Sequence, residues 1–133
     1  MKKLILLLLP LFFICLKAQA GWNLTFCDRV DSIGKCDTIA SEFVWNGDKT
    51  SVYATLQGDQ GFTTGKVFFK VFDMKNPRSG ELYAELRTYV RPEWSFTTKR
   101  IYFIKPGYYK IEVYDESYMR LAEGYITVTD REY

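Results

Sequence analysis

The chain has 133 residues, with 18 Lys and Arg, 16 Asp and Glu, and no His. Without imidazole there is no Ser-His-Asp or Cys-His catalysis, and the commonest general base and zinc ligand are both missing. The net charge of +2 resides in the first 20 residues, which hold Lys2, Lys3 and Lys17; beyond them 15 basic residues face 16 acidic ones, leaving no surplus to displace counterions from nucleic acid.

In chain order, residues 1–20 read as a secretory signal peptide. Lys2 and Lys3 form the basic start, Leu4 to Leu16 the apolar stretch, and Ala18-Gln19-Ala20 the small-residue cleavage site. The apolar stretch of 13 residues falls short of the roughly 20 that span a bilayer. No transmembrane segment is therefore expected after cleavage. Lipoprotein processing at Cys15 is disfavoured, because Ile14 stands where a small residue is needed. The expected organisation is a leader, 1–20, and one domain, 21–133, placed in the periplasm or secreted. In that oxidising space cysteines pair. Cys27 and Cys36 are the two that remain, so a single disulfide is expected to close the loop 28–35. Nine positions apart, without His or a CxxC spacing, they make neither a zinc site nor a redox pair.

Strands are predicted at 23–27, 38–45, 50–56, 66–73, 82–90, 96–104, 108–115 and 120–129. Val67, Phe69 and Val71 alternate with Lys66, Phe68, Lys70 and Phe72; Tyr109, Ile111 and Val113 alternate with Tyr108, Lys110, Glu112 and Tyr114. Period two is the mark of a half-buried strand. Turn chemistry separates the runs at Asn46-Gly47-Asp48, Gly58-Asp59-Gln60-Gly61, residues 76–80, Arg91-Pro92-Glu93 and Lys105-Pro106-Gly107. Leu82, Leu86 and Tyr89 have helical spacing, but the alternation through Ala84 and Thr88 to Val90, ahead of Pro92, favours a strand. Seven or eight short strands fit an all-β, antiparallel two-sheet sandwich. Its core is expected from Phe43, Trp45, Val52, Ala54, Leu56, Val67, Phe69, Val71, Leu82, Ala84, Leu86, Phe103, Tyr109, Ile111, Val113, Ile126 and Val128. Residues 130–133 are expected to fray.

The segment 106–128, PGYYKIEVYDESYMRLAEGYITV, resembles the last hairpin of bacterial immunoglobulin-like domains. Those read P-G-x-Y-x-h-x-h-Y-D, a short turn, then h-A-x-G-x-h-x-h, with h apolar. Pro106, Gly107, Tyr109, Ile111, Val113, Asp115, Leu121, Ala122, Gly124, Ile126 and Val128 occupy those places. Gly124 would permit a bulge or a close approach. The chain beyond the leader is also similar to small secreted domains of Bacteroidetes-like bacteria, through the early Cys pair and the order Trp94, Phe96, Pro106, Gly107, Tyr109. The resemblance implies an immunoglobulin-like sandwich and an address outside the cytoplasm; it implies no chemistry, since such domains have no assigned activity. A type IX secretion sorting domain shares the hairpin, but this chain ends in TDREY and not in a basic, apolar tail.

Candidate sites are few. Glu85 and Glu112 would suit glycoside hydrolysis only if they faced each other across a cleft, and scattered solvated charge is the plainer expectation. Asp28, Asp31 and Asp37 offer oxygens to calcium but lack a D-x-D-x-D-G pattern. No phosphate-binding or S-x-x-K motif occurs. No metal or cofactor is assigned and no enzyme is expected. The outward aromatics stand out: Phe68, Phe72, Tyr83, Tyr89, Tyr108 and Tyr114, with Arg87 among them, and Tyr102 on a further strand. Tyrosine mixed with Arg and Lys is the composition of protein-recognition surfaces. Flat rings also stack on sugars, and cross-strand aromatic pairs stabilise a sheet with no ligand at all. The resulting expectation is a non-enzymatic binding module of the bacterial envelope, holding another envelope or secreted protein through a sheet face or edge strand. A carbohydrate-binding module and a periplasmic inhibitor or immunity protein are the alternatives.

Overall fold

The computed structural model describes residues 21–75 and 80–130. The expected leader, most of the turn at 76–80 and the last three residues lie outside them. Eight strands are present: β1 Trp22–Cys27, β2 Glu42–Trp45, β3 Thr50–Gly58, β4 Lys66–Asp73, β5 Glu81–Tyr89, β6 Phe96–Phe103, β7 Gly107–Tyr114 and β8 Arg120–Asp130. They form a three-stranded sheet, β1-β3-β6, and a five-stranded sheet, β2-β8-β7-β4-β5. The segment with helical spacing is a strand, because its apolar alternation matches the pleat of β4 beside it.

One pair departs from the antiparallel rule: β2 runs parallel to β8, with Phe43 opposite Val128. The reason lies just before it. The Ala40 N–H donates to the Phe26 carbonyl of β1 at 2.8 Å, while the Ser41 carbonyl accepts from Thr127 of β8 at 2.9 Å. Consecutive residues thus serve opposite sheets, and the expected strand 38–45 shrinks to its last four residues.

The connections β3–β4, β5–β6 and β6–β7 each cross between the layers, as in a Greek key. At the β6–β7 crossing the Tyr109 hydroxyl donates to the Lys105 carbonyl at 2.9 Å. This tyrosine corner, with the strand order, makes the domain an immunoglobulin-like sandwich. Tyr109 is fully buried, as are Leu56, Val67, Phe69, Val71, Phe103, Ile111, Val113 and Val128. The Gly124 prediction of close approach holds: a Cβ there would lie 2.6 Å from the Phe26 ring. The bulge in β8 falls instead opposite Val113 and Tyr114.

Several expectations about the core change. Leu82 is 56% exposed, because β5 carries a bulge: Val71 pairs with Ala84 but Phe72 pairs with Leu82. One extra residue reverses the facing of everything beyond it. That residue is Tyr83, read from the sequence as outward. It turns inward, stacking on Phe103 at 5.7 Å and meeting the Tyr109 ring edge-on at 5.2 Å. Trp45, Ala84 and Leu86 are only half-buried, on short or edge strands. Phe26, Phe62, Val90 and Ile101 join the core unannounced. Phe62 lies in a loop and stacks on Trp22 at 4.8 Å.

The Cys27–Cys36 disulfide forms as expected, with its Cα atoms 5.5 Å apart. It ties the loop 28–35 onto the outer face of the small sheet. There Thr98 donates to the Gly34 carbonyl, the Thr55 and Thr98 hydroxyls meet at 2.8 Å, and the Lys35 ammonium lies 4.9 Å from the centre of the Phe96 ring.

Candidate binding face

The registers of β4, β5, β7 and β8 define the outer face of the large sheet. Phe72 lies between Leu82 and Lys110, Lys70 between Glu85 and Glu112, and Phe68 between Arg87 and Tyr114. Tyr89 flanks Lys66, while Tyr108 and Lys110 oppose Thr127 and Tyr125. The face therefore gathers Phe68, Phe72, Arg87, Tyr89, Tyr108 and Tyr114 from the sequence reading. Tyr83 is not among them, for the reason given above. Tyr102 belongs to the other sheet, under Lys49 and Arg100 at 4.8 and 4.9 Å.

The rings on this face have close neighbours. Lys70 lies 4.9 Å from the centre of the Tyr114 ring, Lys110 5.4 Å from Phe72, and Lys66 6.0 Å from Phe68. At these distances the ring quadrupole attracts the ammonium. Tyr108 and Tyr125 stack face to face at 5.6 Å, and Phe68 stacks with Tyr118 at 6.3 Å. Two residues absent from the sequence reading thus complete the face. Tyr125 was findable, since it alternates with the buried Ile126 and Val128. Tyr118 was not, because it sits in the β7–β8 turn and reaches the sheet only through a left-handed backbone, φ 62°. Bulky residues rarely adopt that conformation. The Asp115 carboxylate holds the turn by accepting from the Ser117 and Met119 amides at 2.8 and 2.9 Å.

At the centre lies a nearly buried carboxylate. Glu112 is 6% exposed and pairs with Lys110 at 3.2 Å and Arg120 at 3.5 Å. The Tyr114 hydroxyl also donates to it. Burial alone would raise its carboxyl, but the Tyr114 and Lys110 hydrogen bonds and the charges of Lys110 and Arg120 outweigh it and hold the group below the usual carboxylate range. The same bond raises the Tyr114 phenol. A depressed folded value stabilises the fold above the unfolded value and loses that contribution as the pH falls through the folded one. Glu112→Gln is accordingly expected to lose about 1.5–3 kcal/mol at pH 7, the range for hydrogen bonds to charged groups. The gap from the parent should close as the pH drops below the ordinary carboxylate value of 4.5. Denaturant midpoints at pH 7 and pH 3 measure it.

Glu85 and Glu112 are not an acid pair across a cleft: Lys70 stands between them on β4. Nor do the carboxylates of the disulfide loop converge. Asp31 spends its Oδ1 on the Ile33 and Lys35 amides of its own turn, both at 3.0 Å. Among the described residues no three His, Cys, Asp or Glu side chains come together. A cleft of about 460 Å³ at the β7–β8 end includes Trp22, Asp59, Met119 and Arg120. A groove of about 580 Å³ between Ile33 and Trp94 has Glu93 as its one carboxylate. Neither brings two acids together.

No known family model matches this sequence, and no curated protein does either. Among solved structures, the chain is similar to an immunoglobulin-like protein from Pseudomonas aeruginosa, at 15% identity and a TM-score of 0.48, covering 84% of this chain and 99% of that one. It is also similar to a DUF3244 family protein with an immunoglobulin-like β-sandwich fold from Bacteroides vulgatus, at 17% identity and a TM-score of 0.42, covering 82% and 97%. A third likeness is to a β-glucosidase from Listeria innocua, at 12% identity and a TM-score of 0.42 over 81% of this chain. This chain spans 16% of the length of that enzyme. Likenesses at these values assign no activity, ligand or partner here.

Proposed function

We propose that the protein is a non-catalytic binding module of the bacterial envelope, exported to the periplasm or beyond, and that the outer face of its five-stranded sheet holds another protein. One observation carries the reading: Arg87, Tyr89, Tyr108, Tyr114 and Tyr125 share one face with Phe68 and Phe72, and Tyr118 stands at its rim. Tyr89 and Tyr118 are 69 and 72% exposed. Aromatic residues and Arg are among the types enriched where proteins meet. The disulfide agrees with an oxidising compartment. A glycan is the weaker occupant. Sugars pack on open ring faces, whereas here the rings stack on one another or lie against lysines. Neither feature favours an inhibitor of a particular enzyme.

The test replaces Tyr108 and Tyr125 by alanine together. Each is more than two-fifths exposed, and losing a cross-strand pair costs only about 0.2–1 kcal/mol. Melting should barely move, while cross-linking of the tagged protein to its envelope partner at this face should be lost. Unchanged cross-linking, or a collapse of the fold, would assign these rings to sheet stability alone. A glycan-array signal removed by the same substitutions would hand the face to carbohydrate.

A further inference from the structure

We propose that β5 pairs edge to edge with the β5 of a second copy of this chain, antiparallel about a two-fold axis through Leu86. β5 is an open edge of the large sheet. Two hydrogen bonds reveal which backbone groups it leaves unpaired. The Met74 amide donates to Tyr108, on the β7 side, at 2.8 Å, and the Val90 amide donates to Gly65, on the β4 side, at 3.0 Å. In an antiparallel ladder both groups of a residue point to the same side and alternate along the strand. Leu86 and Thr88 therefore bond to β4, while Glu85, Arg87 and Tyr89 turn their N–H and C=O groups to the open edge.

That alternation leaves three central registers for a symmetric pair. Glu85 meets Glu85 of the second copy, or Arg87 meets Arg87, or Glu85 meets Arg87 in both directions. Like charges directly opposite destabilise a sheet, and opposite charges support it. The third register therefore wins, and it sets two ion pairs on the outer face. It also sets Leu86 against Leu86 of the second copy on the inner side. At each end Tyr89 approaches the bulge, where Leu82 has returned to the outer face. In a single chain these two are 69% and 56% exposed, and the pairing covers both. The strand is thus complementary to itself, which is what an isologous contact requires.

The neighbouring edge, β6, is closed to such addition. Lys99 lies opposite Ala54, in phase with the inward Ile101 and Thr97, so a strand added to β6 would bury its ammonium. Lys99 reaches instead to the Arg87 carbonyl, at 3.4 Å. It comes from inside the sandwich, and a carbonyl has a second lone pair for the incoming amide.

Sedimentation of the protein recovered from its expressing cell should show a dimer. Glu85→Arg and Arg87→Glu each set like charges opposite at both pairs, and each should weaken dimerisation about tenfold or more. Both changes in one chain should restore it, and mixing the two single variants should give a heterodimer. The double variant also controls for folding. A parent that stays monomeric at the highest attainable concentration overturns the proposal, as does a dimer indifferent to the single reversals. Arg87 and Tyr89 of β5 border both contacts, whereas Tyr108 and Tyr125 lie on β7 and β8, so the charge reversals score the dimer and the Tyr108 and Tyr125 substitutions score the partner reading.

Discussion

Replacing Tyr109 by alanine is expected to cost about 3–5 kcal/mol of folding stability, the range for deleting a large buried aromatic ring. The residue is fully buried and joins three things at once. Its ring lies 4.5 Å from Phe103 of the opposite sheet and 5.2 Å from Tyr83. Its hydroxyl closes the turn between β6 and β7 on the Lys105 carbonyl. Lys105 in turn pairs with the nearly buried Asp73 at 3.0 Å. Burial pushes the phenol well above its ordinary value, so the proton that makes the corner bond stays in place at any working pH. Tyr109→Phe isolates that bond from the packing and should lose only about 0.5–1.5 kcal/mol. Denaturant unfolding measures both. An alanine variant within about 1 kcal/mol of the parent would show that the sheets are held together elsewhere, since such truncations normally leave a costly cavity.

Removing the disulfide is the second large expectation. Closing a loop of about ten residues restricts the unfolded chain by about 2.5–3 kcal/mol in the chain-entropy account. The folded side points the same way. The loop 28–35 is held on the small sheet by a few polar contacts, chiefly Thr98 with the Gly34 carbonyl and Lys35 over Phe96. Beneath it Thr55 is 2% exposed and Cys27 fully buried. Without the covalent tie those contacts must repay the ordering of the loop alone. Cys36→Ala should therefore lower stability by about 2–4 kcal/mol, the usual cost of losing such a bridge. Amide exchange should rise through 28–36 while the β4–β7 pair keeps its protection. A reduced protein as stable as the oxidised one would mean the loop packs unaided.

The same contrast between local and distant interactions governs what could be read in advance. Strands β4, β7 and β8 were legible because their alternation is a property of neighbours in the chain: Val67, Phe69 and Val71 point one way whatever lies beyond them. Phe68, Phe72, Tyr108 and Tyr114 of the candidate face followed from that phase alone, and Arg87 and Tyr89 from the same alternation in β5 past its bulge. Tyr83 did not follow, because its facing depends on the bulge that β5 forms against β4. Leu82 failed for the same reason. Phe62 and Tyr118 sit in loops, where no period exists, and each is placed by a ring it meets from another segment. Glu112 read as one more solvated charge until the register set Lys110, Arg120 and Tyr114 around it.

Local chemistry alone decided the all-β class, a count of seven or eight strands, the phase of most of them and the pairing of Cys27 with Cys36. All of these depend on side chains a few positions apart or on simple counting. The tertiary structure decided the order of strands in each sheet, the parallel seating of β2, the inward turn of Tyr83 and the self-complementary edge of β5. Those depend on which backbone groups meet across long separations. A single inserted residue reverses every side chain beyond it, and no period in the sequence marks where that insertion falls.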